Sequence, residues 1–398
     1  NFVKMIWLVS VPYDKAEGNA GKKAAYEHLH RKLSVDKKLC DCYEFVLPSD
    51  LKPGDSYGLI TLAEELAKHD SQVEQMTTKA LRIHFEMKEV EEKDFTPMIV
   101  RSNGLNDEVS NLEPYLQYFK WDDAQFRTNT PLKDIVKQLM YDCNDLDDEL
   151  KKKQQDYLSI KTNIQSLLRK KDGNLMVKPL DGIIKEEHIV ETEYLSTKFV
   201  VVPLASEKQF LSTYESFCEM VVPDSAFEID RDGEYVLYAV SMIKKLAEHF
   251  VESCKEHRYI VRPFEFDEER FNLAQEEEDK LFEKRHSQRT HLRDLSSLAF
   301  SQMFSSWIHL KAIRVFVESV LRYGVGQKFV VALLRVHRNM TKIHRVLKKE
   351  YSHLADEHFS EMMKYQETNP MPSPYGLEMH PYVLLTLNTD DHPLLKLN

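Results

Sequence analysis

Glycine is scarce in this sequence, with 11 glycines in 398 residues, and long apolar runs are missing. Because glycine is the usual residue of tight turns and helix C-caps, its scarcity favours long helices and few loops. No window approaches the roughly 18–20 consecutive apolar residues of a membrane span. The apolar run Ile6–Val11 is too short for a secretory signal core and lacks a small-residue cleavage site. These absences predict a cytoplasmic protein without a membrane-spanning segment.

Cysteine is also infrequent, and the five cysteines do not form a pattern that disulfides or metals require. An odd, scattered set is not a disulfide framework. Cys40 and Cys42 are too close in sequence for an easy bridge, and no second pair completes a zinc site. We therefore interpret all five cysteines as structural.

Acidic residues outnumber basic residues, 65 against 54, which gives a formal net charge of −11. A field of that sign repels nucleic acid and anionic membranes, so binding to either requires a local basic patch. The chain is also long enough for two or three domains with their own cores.

Two long helices are predicted from the distribution of proline and glycine. The first starts just after Pro131, a residue suited to a helix start, and runs to a stop at Lys170–Asn174. Its apolar stripe steps by three and four, as in helix pairing, and comprises Leu146, Leu150, Tyr157, Ile160, Ile164 and Leu167. The second lies within residues 264–323, which contain neither proline nor glycine. At 1.5 Å per residue, the first helix alone is a rod of roughly 60 Å.

Residues 175–266 differ in character, because strand-like and helical stretches alternate there. Strand composition occurs in four runs, namely "GIIKEEHIV", "TKFVVVP", "EYVLYAVSM" and "HRYIVRPFEF". Helical stretches lie at Glu207–Glu219 and Ile243–Glu256. This alternation predicts a compact α/β domain, inserted between the two long helices.

The beginning of the chain adds four shorter predicted elements. They are a strand over Met5–Val11, a helix over Ala20–Leu33, a strand over Tyr43–Pro48 and one or two helices over Leu59–Val90. Together with the long helices they predict an α+β fold that is helix-rich and elongated. We expect a foot built from both chain ends (1–132 and 291–398), a long-helix neck (133–174 and 267–290) and an α/β head domain (175–266).

The stretch nearest to a catalytic motif is "AEGNAGKK", Ala16–Lys23, between a strand and a helix. A phosphate-binding loop belongs at such a place, because backbone N–H groups at a helix start hold phosphate. However, Ala16 stands where the motif needs its first glycine, and Lys23 replaces the hydroxyl that ligates Mg²⁺. A surface loop at a basic helix start is the simpler interpretation, and nucleotide hydrolysis is kept as an alternative.

Histidine is plentiful, with 16 residues, but its spacing does not suit a metal-binding helix. The pairs His286/His291 and His353/His358 are five residues apart, so neither pair shares a helix face. The acidic cluster Asp145–Glu149 lacks the glycine of a calcium loop, which favours a solvated helix face. We predict no catalytic residue, no cofactor and no metal site.

The segment Trp307–Gly324 places charged side chains within an apolar helical run. At 100° per residue, four charged residues fall within about 80° of one another; they are Lys311, Arg314, Glu318 and Arg322. They predict one ionic stripe with i, i+4 pairs on an otherwise buried helix. His309 falls on the apolar side without an acid or nucleophile beside it, which predicts a hydrogen-bonded core residue and not a catalytic one.

A basic stripe follows, because residues 319–349 contain no Asp or Glu. Five cations step by three, four, three and four along one predicted helix face, namely Arg335, Arg338, Lys342, Arg345 and Lys349. In an acidic protein such a face is suited to docking an acidic partner, including a helical one. A solvated helix face explains the same pattern equally well. RNA is disfavoured, because no aromatic residues for base stacking are interleaved on that face.

Several stretches of the sequence resemble one known family. "WIHLKAIRVFVESVLRYG" is similar to the signature of the C subunit of the vacuolar-type proton-translocating ATPase (V-ATPase). Other stretches agree in the same order, and they are "WLVSVP", "YFKWDDAQF", "STKFVVVP", "EMVVPDSA" and "YIVRPFEF". The resemblance covers nearly the whole chain.

The resemblance implies a foot, a helical neck and a distal head, and a non-catalytic stator function. It implies that the head grips one peripheral stalk, a heterodimer of the E and G subunits. The foot is then expected to join a second such stalk and the cytosolic domain of the membrane-embedded a subunit. It further implies reversible assembly of the pump, a place on the cytosolic face of vacuolar and other endomembranes, and in some members actin binding. A free-standing cytoskeletal adaptor is the alternative that the sequence leaves open.

Overall fold

The structure is a computed structural model that describes residues 5–14, 16, 18–87, 98–102, 107–181, 183–265, 267–336, 340–354 and 380–387. Its contacts divide the chain into two units. Unit 1 comprises Asn1–Gln154 and Arg289–Asn398, and unit 2 comprises Gln155–Gln288. The finer division into foot, neck and head segments stays a prediction.

The described elements confirm a helix-rich α+β protein. In chain order they are β1 (Met5–Tyr13), α1 (Gly18–His30), a π-helical turn (Arg31–Val35), β2 (Cys40–Glu44), α2 (Ser56–Met87), β3 (Met98–Ser102), β4 (Asp107–Asn111), α3 (Leu112–Gln117) and α4 (Leu132–Lys171). Then follow β5 (Leu195–Pro203), α5 (Glu207–Thr213), β6 (Phe227–Arg231), β7 (Tyr235–Ile243), α6 (Ala247–Glu256), β8 (Ile260–Arg262), α7 (Glu268–Tyr323), β9 (Lys328–Val336), α8 (Met340–Glu350) and β10 (Val383–Leu387). Among the described helices, none combines the length and apolar character that crossing a bilayer requires.

Unit 1 is organised around an antiparallel sheet in the order β10-β1-β9-β2. β1 is buried on both faces, which explains its continuous apolar run. On one face, Trp7 and Val9 pack in a core that includes residues of α1 and α8. On the other face, the Ser10 hydroxyl lies 2.7 Å from the Ser319 hydroxyl of α7. α7 ends at Tyr323, and the next residue, Gly324, has a φ of +99° in the left-handed region that favours glycine.

Unit 2 contains a second antiparallel sheet in the order β6-β7-β5-β8. Helices α5 and α6 cover one face of this sheet, where Phe210 and Phe250 are fully buried. The other face is covered by an irregular segment that buries Leu180 and Ile184 against Phe199. The strand pairs of this sheet are antiparallel, which is typical of α+β domains rather than of parallel α/β sheets.

The predicted strand "GIIKEEHIV" is wrong for the residues that the structure describes. Residues 183–190 form turns and a short 3-10 helix, Glu186–His188. Their isoleucines pack onto the sheet as a covering layer, so the apolar residues are buried without joining a strand ladder. Gly182 lies outside the described residues.

The long-helix predictions agree with the structure. α4 begins immediately after Pro131 and ends at Lys171, and α7 occupies most of the stretch without proline or glycine. Four members of the predicted apolar stripe on α4 are buried, namely Leu150, Tyr157, Ile160 and Ile164. Leu167 is exposed, so the buried stripe ends before the helix does.

Candidate partner-docking site

α8 is an amphipathic helix whose two faces have different surroundings. Its apolar face buries Ile343, Val346 and Leu347 in the core of unit 1, and this burial fixes the helix on the sheet. The opposite face carries three exposed cations, Lys342, Arg345 and Lys349. We call these three residues the α8 basic face.

The prediction that all five cations share one helix face is wrong for Arg335. Arg335 lies on strand β9 in register with Asp41 of β2, and its Nε donates to Asp41 Oδ2 at 2.9 Å. The spacing of the five cations predicted a single helix. Strand β9 ends at Val336 and helix α8 begins at Met340, so Arg335 lies on the strand. Arg338 lies outside the described residues. The docking function of the remaining three cations stays a prediction.

The α8 basic face lacks carboxylate partners within the described part of the chain. Lys342, Arg345 and Lys349 form no ion pair there, although Glu350 follows directly. The Glu350 carboxylate is engaged elsewhere, because Lys32 Nζ lies 3.3 Å and His28 Nε2 lies 3.2 Å from its oxygens. Burial opposes ionisation of Glu350, but Lys32 and His28 outweigh it and hold its pKa below the usual range.

Two cations of α7, Lys311 and Arg314, have the opposite environment, because they converge on a buried carboxylate that the sequence prediction missed. Asp70 of α2 is 4% exposed. It accepts hydrogen bonds from Trp307 Nε1 at 2.7 Å, from Lys311 Nζ at 2.8 Å and from Arg314 Nη1 at 2.5 Å. Lys311 also donates to the carbonyl of Thr386 on β10 at 3.1 Å. These bonds join α2, α7 and the sheet.

The predicted stripe on α7 is present, and its exposure increases along the helix: Lys311 is buried, Arg314 and Glu318 are partly buried, and Arg322 is exposed. Arg314 Nε donates to Glu318 Oε1 at 2.8 Å, as the i, i+4 spacing predicts. Arg322 donates to the carbonyl of His380. Burial raises the pKa of the Glu318 carboxyl above its usual range, although Arg314 opposes this shift. A signal for the missing partner exists in the sequence, because Asp70 occupies the apolar stripe of α2, between Leu66 and Val73.

His309 is the hydrogen-bonded core residue that the sequence predicted. Its Nδ1 donates to the carbonyl of Ser305 at 2.7 Å, and its Nε2 accepts from the N–H of Asp122 at 3.1 Å. The rings of Phe119 and Trp121 contact it at centroid distances of 5.1 and 5.0 Å. With both ring nitrogens committed to the backbone, the imidazole fixes the chain around Asp122.

The described residues of the stretch Ala16–Lys23 do not form a phosphate cradle. α1 already begins at Gly18, so most of the stretch is the first turns of a helix. Gly21 is buried, and Lys22 Nζ forms an ion pair with Glu44 at 2.8 Å. These contacts hold the start of α1 against the sheet.

The five cysteines are free and buried. Burial raises the pKa of the Cys40 thiol, and likewise that of Cys42, to about 12, so both stay protonated at neutral pH. Among the described residues, no group of three His, Cys, Asp or Glu side chains is arranged to hold a metal ion.

The family model for the C subunit of V-ATPase matches residues 6–383 of the chain. The V-type proton ATPase C subunit of Dictyostelium discoideum is 31% identical over 386 residues, covering 97% of this chain and 98% of that protein. The corresponding C subunit of Caenorhabditis elegans is 31% identical over 389 residues, covering 96% of this chain and 97% of that protein.

One solved structure is similar over 88% of this chain and 97% of its own, the cytoplasmic N-terminal domain of the I subunit, which is the homologue of the a subunit, of V-ATPase. Its identity is 13% and its TM-score is 0.21, so this likeness carries no inference. The family match and the relatives extend over both units and both long helices. The chain therefore belongs to the family of V-ATPase C subunits, whose members are non-catalytic peripheral subunits of the proton pump.

Proposed function

We propose that this protein is a stator subunit that bridges E–G peripheral stalks and the cytosolic domain of the membrane-embedded a subunit. In this function it acts on the cytosolic face of vacuolar and other endomembranes. We also propose that making and breaking these contacts controls reversible assembly of the pump. Family membership supports the proposal, because relatives named as C subunits align with the chain over nearly its full length.

The exposure of the α8 basic face is the observation that links the proposal to particular residues. It presents Lys342, Arg345 and Lys349 to solvent without ion pairs in the described chain, on a protein whose net charge is −11. A negatively charged segment of a partner would neutralise these cations and orient the partner as it approaches. A contact of modest size with a charged rim is suited to association that must also be reversed.

The test measures binding of the full-length protein to recombinant E–G heterodimer and, separately, to the cytosolic domain of the a subunit. The α8 variant carries Lys342→Glu, Arg345→Glu and Lys349→Glu. Reversing the charge of three exposed cations should weaken binding to at least one partner by on the order of tenfold or more. The measurement is a dissociation constant from calorimetry, taken at two salt concentrations because screening weakens such contacts.

A control variant makes the same change in charge at other exposed sites of unit 1. It carries Lys52→Glu, Lys68→Glu and Lys120→Glu, whose side chains are exposed and form no ion pair in the described chain. Both affinities should stay at the wild-type values in this control. Failure of the wild type to bind either partner would overturn the stator proposal. Co-sedimentation with actin filaments, without binding to either V-ATPase partner, would support the cytoskeletal adaptor instead.

A further inference from the structure

A second basic segment, distant in sequence, lies beside helix α8. The π-helical turn Arg31–Val35 packs against α8. An ion pair joins the two segments, because Lys32 Nζ lies 3.3 Å from a carboxylate oxygen of Glu350. Arg31 precedes the lysine of this pair and Lys349 precedes its glutamate, and both of these cations are exposed.

The π-helical turn and the loop that follows it carry further cations. Arg31, Lys37 and Lys38 are exposed and form no ion pair within the described residues. Lys38 has a φ of +47°, in the left-handed region that bulky residues adopt only when their surroundings impose it. The hydrogen bond from the Leu39 N–H to the Leu33 carbonyl, at 2.9 Å, closes the loop around it. Lys37 and Lys38 therefore lie in a loop that a backbone hydrogen bond closes.

We define the composite surface as the α8 basic face together with Arg31, Lys37 and Lys38, which the contact between the turn and α8 brings to one region of unit 1. It also contains two carboxylates, Asp36 and Glu350, and an apolar side chain, Val35, which is 55% exposed. Carboxylates among the cations weaken attraction for polyanions such as lipid headgroups or nucleic acid, whose charges are all negative. A protein partner supplies charges of both signs and apolar contacts, which favours a protein as the occupant.

The geometry of α8 indicates the shape of that protein segment. Lys342, Arg345 and Lys349 lie within about 60° of helix circumference and extend over about 10 Å along the axis. Acidic residues at i, i+3 or i+4, and i+7 of a second helix repeat this spacing. We propose that the composite surface binds an acidic helix of a protein partner, aligned along α8 with its carboxylates facing the cations. The inference deepens the proposed function by naming the chemistry of the docked segment, and it rests on that function.

The test uses two synthetic peptides of identical composition and of about 20 residues, the length of a stable helix, as probes with the full-length protein. One peptide places its glutamates along a single helix face at the spacing above, and the other distributes them around the helix. Fluorescence anisotropy should show that the first peptide binds on the order of tenfold tighter than the second, since only one face can meet the cations. Phosphatidylserine vesicles serve as the lipid arm, and they should compete weakly with the first peptide.

Two variants test whether both α8 and the turn contribute to binding of the first peptide. The α8 variant and a turn variant (Arg31→Glu, Lys37→Glu and Lys38→Glu) should each weaken binding of the first peptide, whereas the control variant should not. Equal binding of the two peptides, or a turn variant that binds like the control, would overturn the inference. Vesicles that outcompete the first peptide would assign the surface to a membrane instead. If either V-ATPase partner still binds while the peptide preference is absent, only this inference fails and the stator proposal stands.

Discussion

The cations of α7 and those of α8 recur at similar spacing in the same unit, but they meet different surroundings. On α7, Lys311 and Arg314 share the buried carboxylate of Asp70. On α8, Lys342 and Arg345 are exposed and lack ion pairs in the described chain. Spacing by three and four places charges on one face of a helix, but it does not determine whether that face is buried. Lys311 and Arg314 of α7 differ from the cations of α8 because Asp70 of another helix, α2, pairs with them.

This difference has an energetic meaning. A buried ion pair stabilises only while both partners are present, because a lone buried charge keeps its desolvation penalty. Exposed cations are hydrated, so changing them costs the folded state little. The cluster on α7 is therefore expected to be structural, and the proposed role of the α8 basic face is binding. Substitutions on each helix test this comparison, beginning with the largest expected effect.

Replacement of Asp70 by alanine should cause the largest loss of stability. It leaves Lys311 and Arg314 buried without their shared carboxylate and removes the acceptor of Trp307 Nε1. We expect the free energy of unfolding to fall by about 3–5 kcal/mol, measured by urea denaturation. Asp70→Asn keeps the size and an acceptor, so its loss should be smaller, at about 1–3 kcal/mol.

Asp148→Ala is the matched control for this change. Asp148 forms an ion pair with Lys151 at 3.0 Å, but its side chain is 75% exposed. The free energy of unfolding should change by about 0.5 kcal/mol or less. If Asp70→Ala is as mild as this control, the cluster on α7 is not structural and the comparison fails.

Two carboxylates with little solvent exposure, those of Asp147 and Glu318, should make the stability of the protein depend on pH in opposite directions. Burial opposes ionisation of Asp147, but hydrogen bonds from Lys151 and Lys79 outweigh it and lower its pKa. Its folded pKa is therefore below its unfolded pKa, so it stabilises above the unfolded value and loses this effect as pH falls through the folded value. Burial raises the pKa of Glu318, so stability decreases as pH rises from its unfolded towards its folded pKa.

Melting temperatures between about pH 3 and pH 7 test these signs. Asp147→Asn should destabilise the protein at pH 7, and its deficit should shrink as the pH falls. Glu318→Gln should flatten the opposite slope, so its melting temperature relative to wild type should rise with pH. Parallel pH profiles for wild type and both variants would contradict the assignment of opposite signs.

The α8 variant should have the smallest effect on stability. Since Lys342, Arg345 and Lys349 are exposed and lack ion pairs in the described chain, the free energy of unfolding should stay within about 0.5 kcal/mol per substitution. Urea denaturation of the variant beside its control checks this. A loss as large as that of Asp70→Ala would show that these cations hold the fold together.

Much of the fold was predictable because its signals are local. Pro131 and the proline-free and glycine-free stretch predict α4 and α7 with nearly correct ends. The predicted strand "GIIKEEHIV" is wrong because apolar residues that cover a sheet resemble residues that belong to it. Arg335 was assigned to a helix because its spacing suits one, although its alternation in β9 suits a strand equally.

The candidate site was predicted less completely than the fold. The spacing identified Lys342, Arg345 and Lys349 as one face, and the structure confirms that they are exposed on α8. No sequence pattern indicated that the turn Arg31–Val35 lies beside α8, since nothing local relates two segments that are distant in the chain. The composite surface therefore forms only when the two segments pack together in the folded protein.

Local sequence alone specifies the long helices and the burial of most of Trp307–Val320. These properties depend on periodicity, helix breakers and residue chemistry within short windows. Which charges neutralise each other is decided instead by packing in three dimensions. Asp70 is separated from Lys311 by 241 positions in the chain, and Lys32 meets Glu350 from the other end of the sequence of unit 1. Pairing over such distances depends on how the elements pack, which no local pattern records.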